Sequence, residues 1–240
     1  MSLLDDLKTK VDGYLAGTYE TYTPQGVPDP QDIPLGNKAA SFAAATLFVD
    51  VRQSSDLTQT FRLQTAAKMM KAYFDGSVRI VNANDGYVRS FNGDGMLAIF
   101  REPNQSDHAV KAAMQIKWFL QEILVPRFAS FFGGNAAAVG KALEFDLGLG
   151  IDVGGIFAVR VGIKGTNDVA WVGRGTNTSA KLANLSSSPK SIWITRAVYN
   201  ELSKSRKYAG DTHMWTDEAF FTIGGVKRAV RQTSYRWKIT

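Results

Sequence analysis

One short turn sequence between two strand-like runs constrains the fold of this chain more than any other feature. The sequence Asn-Gly-Asp-Gly at residues 92–95 separates the runs at residues 86–91 and 96–100. Asn, Asp and Gly tolerate the positive φ angles that tight hairpin turns require. The segment therefore predicts an antiparallel β-hairpin with Asp94 at its tip.

Strand and helix patterns alternate on both sides of this hairpin. An apolar run from Ala44 predicts a buried strand with Asp50 near its end, and helical spacing then predicts a helix that stops at Gly76. A second helix is predicted to begin at the N-cap Ser106 and to end near Pro126. Further elements are predicted as two strands within residues 145–162 joined at Gly154-Gly155, a helix from Thr176 to Leu185, and strands at residues 191–195 and 234–239.

The order strand, helix, hairpin, helix, strand is typical of one α+β architecture. It is the split βαβ, ferredoxin-like fold, an antiparallel sheet with flanking helices. We expect residues 44–240 to form this domain. Residues 1–43 are expected to form an N-terminal helix followed by an extended arm, because residues 16–38 are rich in Pro and Gly.

Composition narrows the chemistry that is open to the chain. The sequence has no cysteine and two histidines, which excludes thiolate sites and favours a hard metal held by carboxylates. The net charge of +6 suits a polyphosphate substrate, whereas the basic residues do not form the aromatic-interleaved platform expected for nucleic-acid binding. We find neither an apolar run long enough to span a membrane nor a signal peptide, so we expect a cytoplasmic protein.

Asp50 and Asp94 are the candidate metal ligands. Either residue alone is open to a structural reading as a cap or turn residue. A carboxylate that closes an apolar strand is nevertheless costly to bury without a cation or several N–H partners. If the two strands are neighbours, the two carboxylates can share two divalent ions, Mg²⁺ or Mn²⁺, as phosphoryl chemistry commonly requires.

Four segments, in the correct order, resemble the motifs of class III nucleotidyl cyclases. Residues 47–58 resemble the first metal motif and the phosphate-cradling turn, and residues 91–100 resemble the second metal motif. Residues 148–162 resemble a glycine-containing strand pair, and residues 172–185 resemble the segment that carries an asparagine and an arginine. The resemblance implies a cyclase catalytic domain over about residues 44–240.

Carried over residue by residue, the resemblance implies a site for metals, phosphates and ribose. The metal ligands would be Asp50, Asp94 and the backbone carbonyl of Val51. Backbone N–H groups of Gln53, Ser54 and Ser55 would hold phosphate oxygens. Asn177 would orient the ribose, and Lys181 stands where the family commonly has the arginine that stabilises the transition state. The family further implies a homodimer in which each active site is built from both subunits.

The residues that commonly read a purine base in this family are missing. Ser90 and Ala170 occupy their places, and the nearby candidates for base reading also include Arg89, Asn92 and Trp171. A bulky aromatic residue beside a strand is more often a core residue, so Trp171 is also open to that reading. This combination resembles the bacterial pyrimidine cyclases of Pycsar anti-phage defence, which implies conversion of UTP to cyclic UMP for a separate effector.

Several alternatives remain open on the sequence. Asn92 matches uracil or, after an amide flip, cytosine, so a cytidylate cyclase is not distinguished. A divergent adenylate or guanylate cyclase is a further enzymatic possibility, whereas a diguanylate cyclase lacks support because the Gly-Gly-Asp-Glu-Phe signature is absent. A catalytically silent nucleotide-binding module is the alternative from another class.

Overall fold

The computed structural model describes residues 2–52, 59–101, 103–132, 146–185 and 190–240. The described strands are β1 (Glu20–Tyr22), β2 (Lys38–Arg52), β3 (Gly86–Asn92), β4 (Gly95–Phe100), β5 (Asp146–Ile163), β6 (Thr166–Gly173), β7 (Ile192–Thr195), β8 (Tyr208–Ala209), β9 (Thr212–His213), β10 (Ala219–Ile223) and β11 (Val226–Thr233). The described α-helices are α1 (Leu3–Ala16), α2 (Leu63–Asn82), α3 (Gln105–Phe119), α4 (Val125–Phe132), α5 (Arg174–Leu185), α6 (Arg196–Glu201) and α7 (Lys204–Lys207).

The central sheet confirms the ferredoxin-like prediction. Within the described residues its strands run in the order β10-β11-β7-β5-β2-β4-β3, with β1 beside β2 and β6 beside β5. Each of the four strands β5-β2-β4-β3 is antiparallel to its neighbour, and they interleave with the helices as a split βαβ unit requires. The predicted hairpin is β3 and β4, with Asn92 opposite Gly95 and Asp94 in the turn.

The two faces of the sheet carry separate apolar clusters. On one face, α2, α3 and α4 cover alternate residues of β2, β4 and β5, and Leu47, Phe100 and Leu149 are fully buried there. Strand alternation sends the intervening side chains, such as Phe42 and Ile99, to the opposite face. This opposite face bears the smaller cluster, and it is the face that the N-terminal arm reaches.

The arm is bound tightly to the sheet. Val27 and Ile33 are buried in the smaller cluster, and β1 pairs with β2 in parallel. Guanidinium groups hold the arm by its backbone carbonyls: Arg101 binds Pro24 and Gly26, and Arg160 binds Ile33. Strand β2 begins at Lys38, so the boundary expected at residue 44 falls inside a continuous strand.

The predicted helix ends at Gly76 and Pro126 are wrong. Helix α2 continues through Gly76 to Asn82. The glycine serves helix packing: the Phe119 ring of α3 lies 2.3 Å from the position that a Cβ atom of residue 76 would take, so a larger side chain would collide with it. Pro126 does not end the helical run, which continues from α3 into α4, and the proline directly follows the irregular π-helical stretch of this run. A π-helical turn at Leu120–Leu124 joins α3 to α4.

The predicted cap and strand boundaries also need correction. The N-cap of α3 is Asn104, which has a left-handed backbone conformation. Ser106, the predicted N-cap, lies inside the helix. Strand β5 does not break at Gly154-Gly155, because Ala43 and Ala44 of β2 pair with both glycines. The predicted strand at residues 234–239 is not a strand.

The C-terminal segment instead packs on α3. The Trp237 N–H donates to the Met114 carbonyl at 3.1 Å, and Lys117 Nζ donates to the Ser234 carbonyl at 3.0 Å. Its partly buried side chains Tyr235, Trp237 and Ile239 contact the larger cluster. The apolar alternation of this segment therefore reflects packing against a helix.

Candidate active site

Asp50 and Asp94 lie close enough to interact electrostatically. Asp50 is near the end of β2, and Asp94 occupies the hairpin turn immediately before β4, the strand that pairs with β2. Burial raises the pKa of the Asp50 carboxyl, the negative charge of Asp94 raises it further, and Arg52 partly opposes both effects. A carboxyl group that is buried beside a second acidic residue belongs to a donor set that fits divalent cations, because a cation offsets the concentrated negative charge.

Tyr73 of α2 lies beneath this acidic pair. Its side chain is fully buried, and its pKa is raised first by burial and then by the charges of Asp50 and Asp94. The helical spacing predicted Tyr73 only as part of the apolar face of a helix. Its polar group at the acidic pair was not foreseen, because helical spacing does not show which strand residue a side chain meets.

The structure describes only part of the remaining residues that were predicted to bind metal or phosphate. The Val51 side chain is buried in the larger cluster, as strand alternation requires for the neighbour of Asp50. Gln53, Ser54 and Ser55 lie outside the described residues. Within the described ranges, no group of three or more His, Cys, Asp or Glu side chains is arranged to hold a metal.

A pocket of about 310 Å³ brings together most of the residues predicted to bind the base and ribose. Its lining includes Ser90 and Asn92 of β3, Ala170 and Trp171 of β6, and Asn177 of α5. Trp171 also belongs to the smaller apolar cluster, which agrees with its reading as a core residue. We call this cavity the base pocket. The sequence predicted these residues one by one, and the fold assembles them in a single chain.

Helix α5 is held against the sheet so that its polar face is fixed. The Thr176 hydroxyl donates to the Trp171 carbonyl at 2.9 Å, which fixes the turn from β6 into the helix. At Gly150 of β5, a Cβ atom would lie 2.0 Å from the Ser179 carbonyl oxygen, so helix and strand meet backbone to backbone. Asn177 and Lys181, one helical turn apart, are both exposed on the outer side of α5.

A second pocket of about 180 Å³ contains Lys181 and also borders Asn177. Arg174 from the start of α5 and Arg228 from β11 share its lining. Asn177 therefore lies at the boundary between the base pocket and a cationic pocket. This arrangement suits a nucleotide, in which the sugar joins a base to anionic phosphates.

Arg89 is not among the described residues that line the base pocket. A β-bulge between Val88 and Ser90 makes Arg89 the unpaired extra residue of β3. Its guanidinium binds the arm instead, with the Asp29 carboxylate at 2.9 Å and the Val27 carbonyl at 2.9 Å. Arg89 thus holds the arm, which the sequence reasoning did not anticipate because it treated the arm as separate from the site.

Several site residues were missed from the sequence. Phe48, Leu97, Asp168 and Thr176 also line the base pocket. Asp168 lies two residues before Ala170 on β6, so alternation along that strand was the signal that could have found it. Arg228 carried no such signal, because strands β10 and β11 were not predicted.

Comparison with known proteins agrees with this geometry. No family model matches the sequence. The chain is 30% identical to the uridylate cyclase of Xanthomonas perforans over 240 residues, covering 100% of both proteins. It is 32% identical to the uridylate cyclase of Burkholderia cepacia over 230 residues, covering 93% of this chain and 95% of that protein.

Solved structures with the same fold are cyclase domains. The guanylyl cyclase Cya2 matches with a TM-score of 0.67 at 16% identity, covering 83% of this chain and 95% of that one. The adenylyl cyclase CyaB from P. aeruginosa matches with a TM-score of 0.68 at 16% identity, covering 81% and 95%. The predicted fold is thereby confirmed as that of class III cyclases. With relatives of this identity and coverage, the chain belongs to the uridylate cyclase family of nucleotidyl cyclases.

Proposed function

We propose that this protein converts UTP to 3′,5′-cyclic UMP and pyrophosphate. The observation that carries the proposal is the position of Asn177, which borders both the base pocket and the cationic pocket of Lys181. The named activity of the relatives supports UTP as the substrate. In the reaction, the ribose 3′-oxygen attacks the α-phosphorus, its proton is lost, and the bond to the pyrophosphate oxygen breaks.

The chain's residues position the substrate and balance its charge. Asn177 would orient the ribose from the pocket boundary, and Lys181 would stabilise negative charge at phosphorus. Lys181 keeps the charge of the family's usual arginine but lacks its planar fork, so its contact is less directional. Asp50 and Asp94 would hold two Mg²⁺ or Mn²⁺ ions. When bound, such ions lower the pKa of the attacking hydroxyl and neutralise triphosphate charge.

Three polar side chains of the base pocket are available to read uracil. The Asn92 amide offers both a donor and an acceptor, and Ser90 offers a hydroxyl. The oxygens of the Asp168 carboxylate accept hydrogen bonds, which suits the N3–H of uracil and offers no donor to the bare N3 of cytosine. Trp171 and Phe48 would supply apolar surface beside the ring. This set favours uracil over cytosine.

We further propose a homodimer with two composite sites. The acidic pair of one subunit would act on a nucleotide held by the base pocket and Lys181 of the other. Among the described helices, none is long and apolar enough to cross a membrane. We place the enzyme in the cytoplasm.

The product would act as a second messenger. A cyclic nucleotide serves a purpose only when another protein binds it, so we propose a separate effector. The resemblance to pyrimidine cyclases of Pycsar defence supports a role in anti-phage signalling. Cells that carry the native gene and its neighbours should resist phage, and cells with Asp94→Ala should lose that resistance.

The decisive experiment is a comparison of substrates. Purified protein is incubated separately with UTP, CTP, ATP and GTP in the presence of Mn²⁺ or Mg²⁺, and products are identified by mass spectrometry. Cyclic UMP should dominate.

Each other result contradicts a specific part of the proposal. Cyclic CMP as the main product would overturn only the choice of uracil. More efficient turnover of ATP or GTP than of both pyrimidines would overturn the interpretation of the base pocket. Nucleotide binding without any cyclic product would instead indicate a catalytically silent regulatory module.

A further inference from the structure

Trp171 of β6 carries a buried hydrogen-bond donor without an acceptor. The residue is 9% exposed, and its Nε1 atom is buried yet has no hydrogen-bond partner within the described part of the chain. A buried polar group that stays unpaired destabilises a fold, so such groups are rare in native proteins. The indole N–H of Trp171 is therefore suited to an acceptor that a bound molecule supplies.

This donor lies at the base pocket. Among the described residues that line this cavity of about 310 Å³, Trp171 is the one whose buried polar atom lacks a partner. Trp193 also has a buried, unpaired Nε1 atom, but it belongs to an apolar cluster with Leu182 and Ile223 and is not among the described lining residues of the base pocket. Of these two tryptophans, Trp171 alone combines an unpaired indole N–H with a cavity that can hold a ligand.

The backbone of Trp171 is fixed from two sides. Trp171 pairs with Ala158 of β5, and its carbonyl accepts a hydrogen bond of 2.9 Å from the Thr176 hydroxyl at the start of α5. The side chain belongs to the smaller apolar cluster. Packing and hydrogen bonding therefore hold the indole in place before a ligand enters, which lowers the entropic cost of binding.

A carbonyl oxygen is the natural acceptor for an indole N–H in a base pocket. Uracil has two carbonyl groups, O2 and O4, on either side of its N3–H, and cytosine keeps O2, whereas adenine has no carbonyl group. Asp168 lines the same pocket three residues before Trp171, and its carboxylate oxygens accept hydrogen bonds. An indole donor and a carboxylate acceptor together complement a carbonyl and the neighbouring N3–H of one uracil ring.

We propose that the Trp171 Nε1–H donates a hydrogen bond to a ring carbonyl of the base and so selects a pyrimidine over adenine. The identity of the base as uracil rests on the proposed function. The unpaired state of the indole N–H at the pocket does not, because it is a feature of the folded chain.

The first test measures binding without turnover. Native full-length protein and Trp171→Phe are titrated by isothermal calorimetry with the α,β-methylene analogues of UTP and ATP, which cannot be cyclised. Loss of the donor should weaken binding of the uridine analogue by about five- to a hundredfold and leave binding of the adenosine analogue nearly unchanged. Trp193→Phe removes the other unpaired indole N–H and should keep the native ratio of the two affinities.

A second variant separates the N–H group from the volume of the ring. Replacement of the Trp171 indole by benzothiophene, through incorporation of 3-benzothienylalanine, keeps the shape of the side chain and removes the donor. This protein should lose affinity for the uridine analogue as Trp171→Phe does. Native affinity for that analogue in the benzothiophene protein would overturn the proposal, because the ring would then bind the base without its N–H.

Thio analogues of the substrate identify the carbonyl. Sulfur is a weaker acceptor than oxygen, so native protein should convert 2-thio-UTP or 4-thio-UTP less efficiently than UTP, and Trp171→Phe should no longer distinguish that analogue from UTP. Unaltered discrimination against both analogues in Trp171→Phe would contradict a contact with either carbonyl. Absence of cyclic UMP together with a selective loss of uridine-analogue binding in Trp171→Phe would overturn the proposed reaction and leave the base contact in place.

Discussion

At the scale of single residues, the acidic pair differs from the rest of the candidate site. Asp50 and Asp94 were predicted from their own unfavourable surroundings, since a carboxylate that ends an apolar strand requires an explanation. Arg228 and Asp168 were not predicted as site residues, because each is recognised only by the pocket that it lines in the folded chain. Arg89 shows the same limit, since its sequence position suggested the base and its contacts are with the arm.

Substitution of either acidic residue should abolish cyclisation. Asp50→Asn and Asp94→Asn each remove a charged ligand with little change of shape, so both variants should retain the native circular dichroism spectrum and lose detectable cyclic UMP. Asp12→Asn, on the exposed face of α1, is the matched control. Full activity in either acidic-pair variant would contradict the metal assignment.

Substitutions of Arg89 and Asn92, which both lie on β3, should affect different properties of the protein. Asn92→Ala removes a candidate base contact and should narrow the preference for UTP over ATP by roughly ten- to a hundredfold. Arg89→Ala removes the bond to Asp29 and should lower the free energy of unfolding by about 1–2 kcal/mol with the base preference unchanged. Parallel kinetics and urea denaturation test both. A changed base preference in Arg89→Ala would return this residue to the base pocket.

Asp152 should make the stability of the protein depend on pH. Burial raises its pKa in the folded state, although Thr195, Val153, Thr178 and Arg228 oppose the shift. Protonated Asp152 therefore suits the fold, and its contribution is lost as pH rises through the folded pKa. Asp152→Asn, which cannot ionise, should gain melting temperature relative to native protein as pH rises from the ordinary aspartate pKa of about 3.9 through the raised folded pKa. A constant difference across that range would contradict the shift.

At the scale of elements, periodicity and turn chemistry correctly predicted those helices and strands that depend on local sequence. The β3–β4 hairpin and α5 follow from their own residues, and both are confirmed. Gly76 and Pro126 were each interpreted as a helix end, whereas Gly76 permits close packing of two helices and Pro126 lies inside a continuous helical run. The C-terminal segment alternates like a strand but packs on α3, a distinction that depends on contacts distant in sequence.

The contact between α5 and β5 should be sensitive to one added methyl group. Gly150→Ala places a Cβ against the Ser179 backbone, so it should cost about 1–3 kcal/mol of unfolding free energy and lower kcat by shifting Asn177 and Lys181. Gly154→Ala, four residues along the same strand, has no atom within 4 Å of the added carbon and is the control. Equal effects of the two substitutions on kcat would show that the seating of α5 does not position the site.

At the scale of the whole molecule, the proposed dimer predicts complementation. Asp50→Ala and Lys181→Ala should each be inactive as homodimers. When mixed at equal amounts and allowed to exchange, half of the dimers combine both chains, and one of their two sites escapes both changes. The mixture should recover about a quarter of native activity. Mixed chains that stay inactive despite demonstrated exchange would place each site within one subunit.

The close contact at Gly150 has a consequence for how the two active sites of such a dimer communicate. Asp50 pairs with Gly148 of β5, and α5 rests on the same strand two residues farther on. In the proposed dimer, the part of one site expected to bind metal and the part of the other site expected to bind ribose would therefore be attached to one short piece of backbone. Because of this rigid connection, substrate that binds and orders one site should also partly order the other site. The initial rate plotted against UTP concentration should therefore give a sigmoidal curve. The Hill coefficient of this curve should be unchanged in Gly154→Ala and lower in Gly150→Ala.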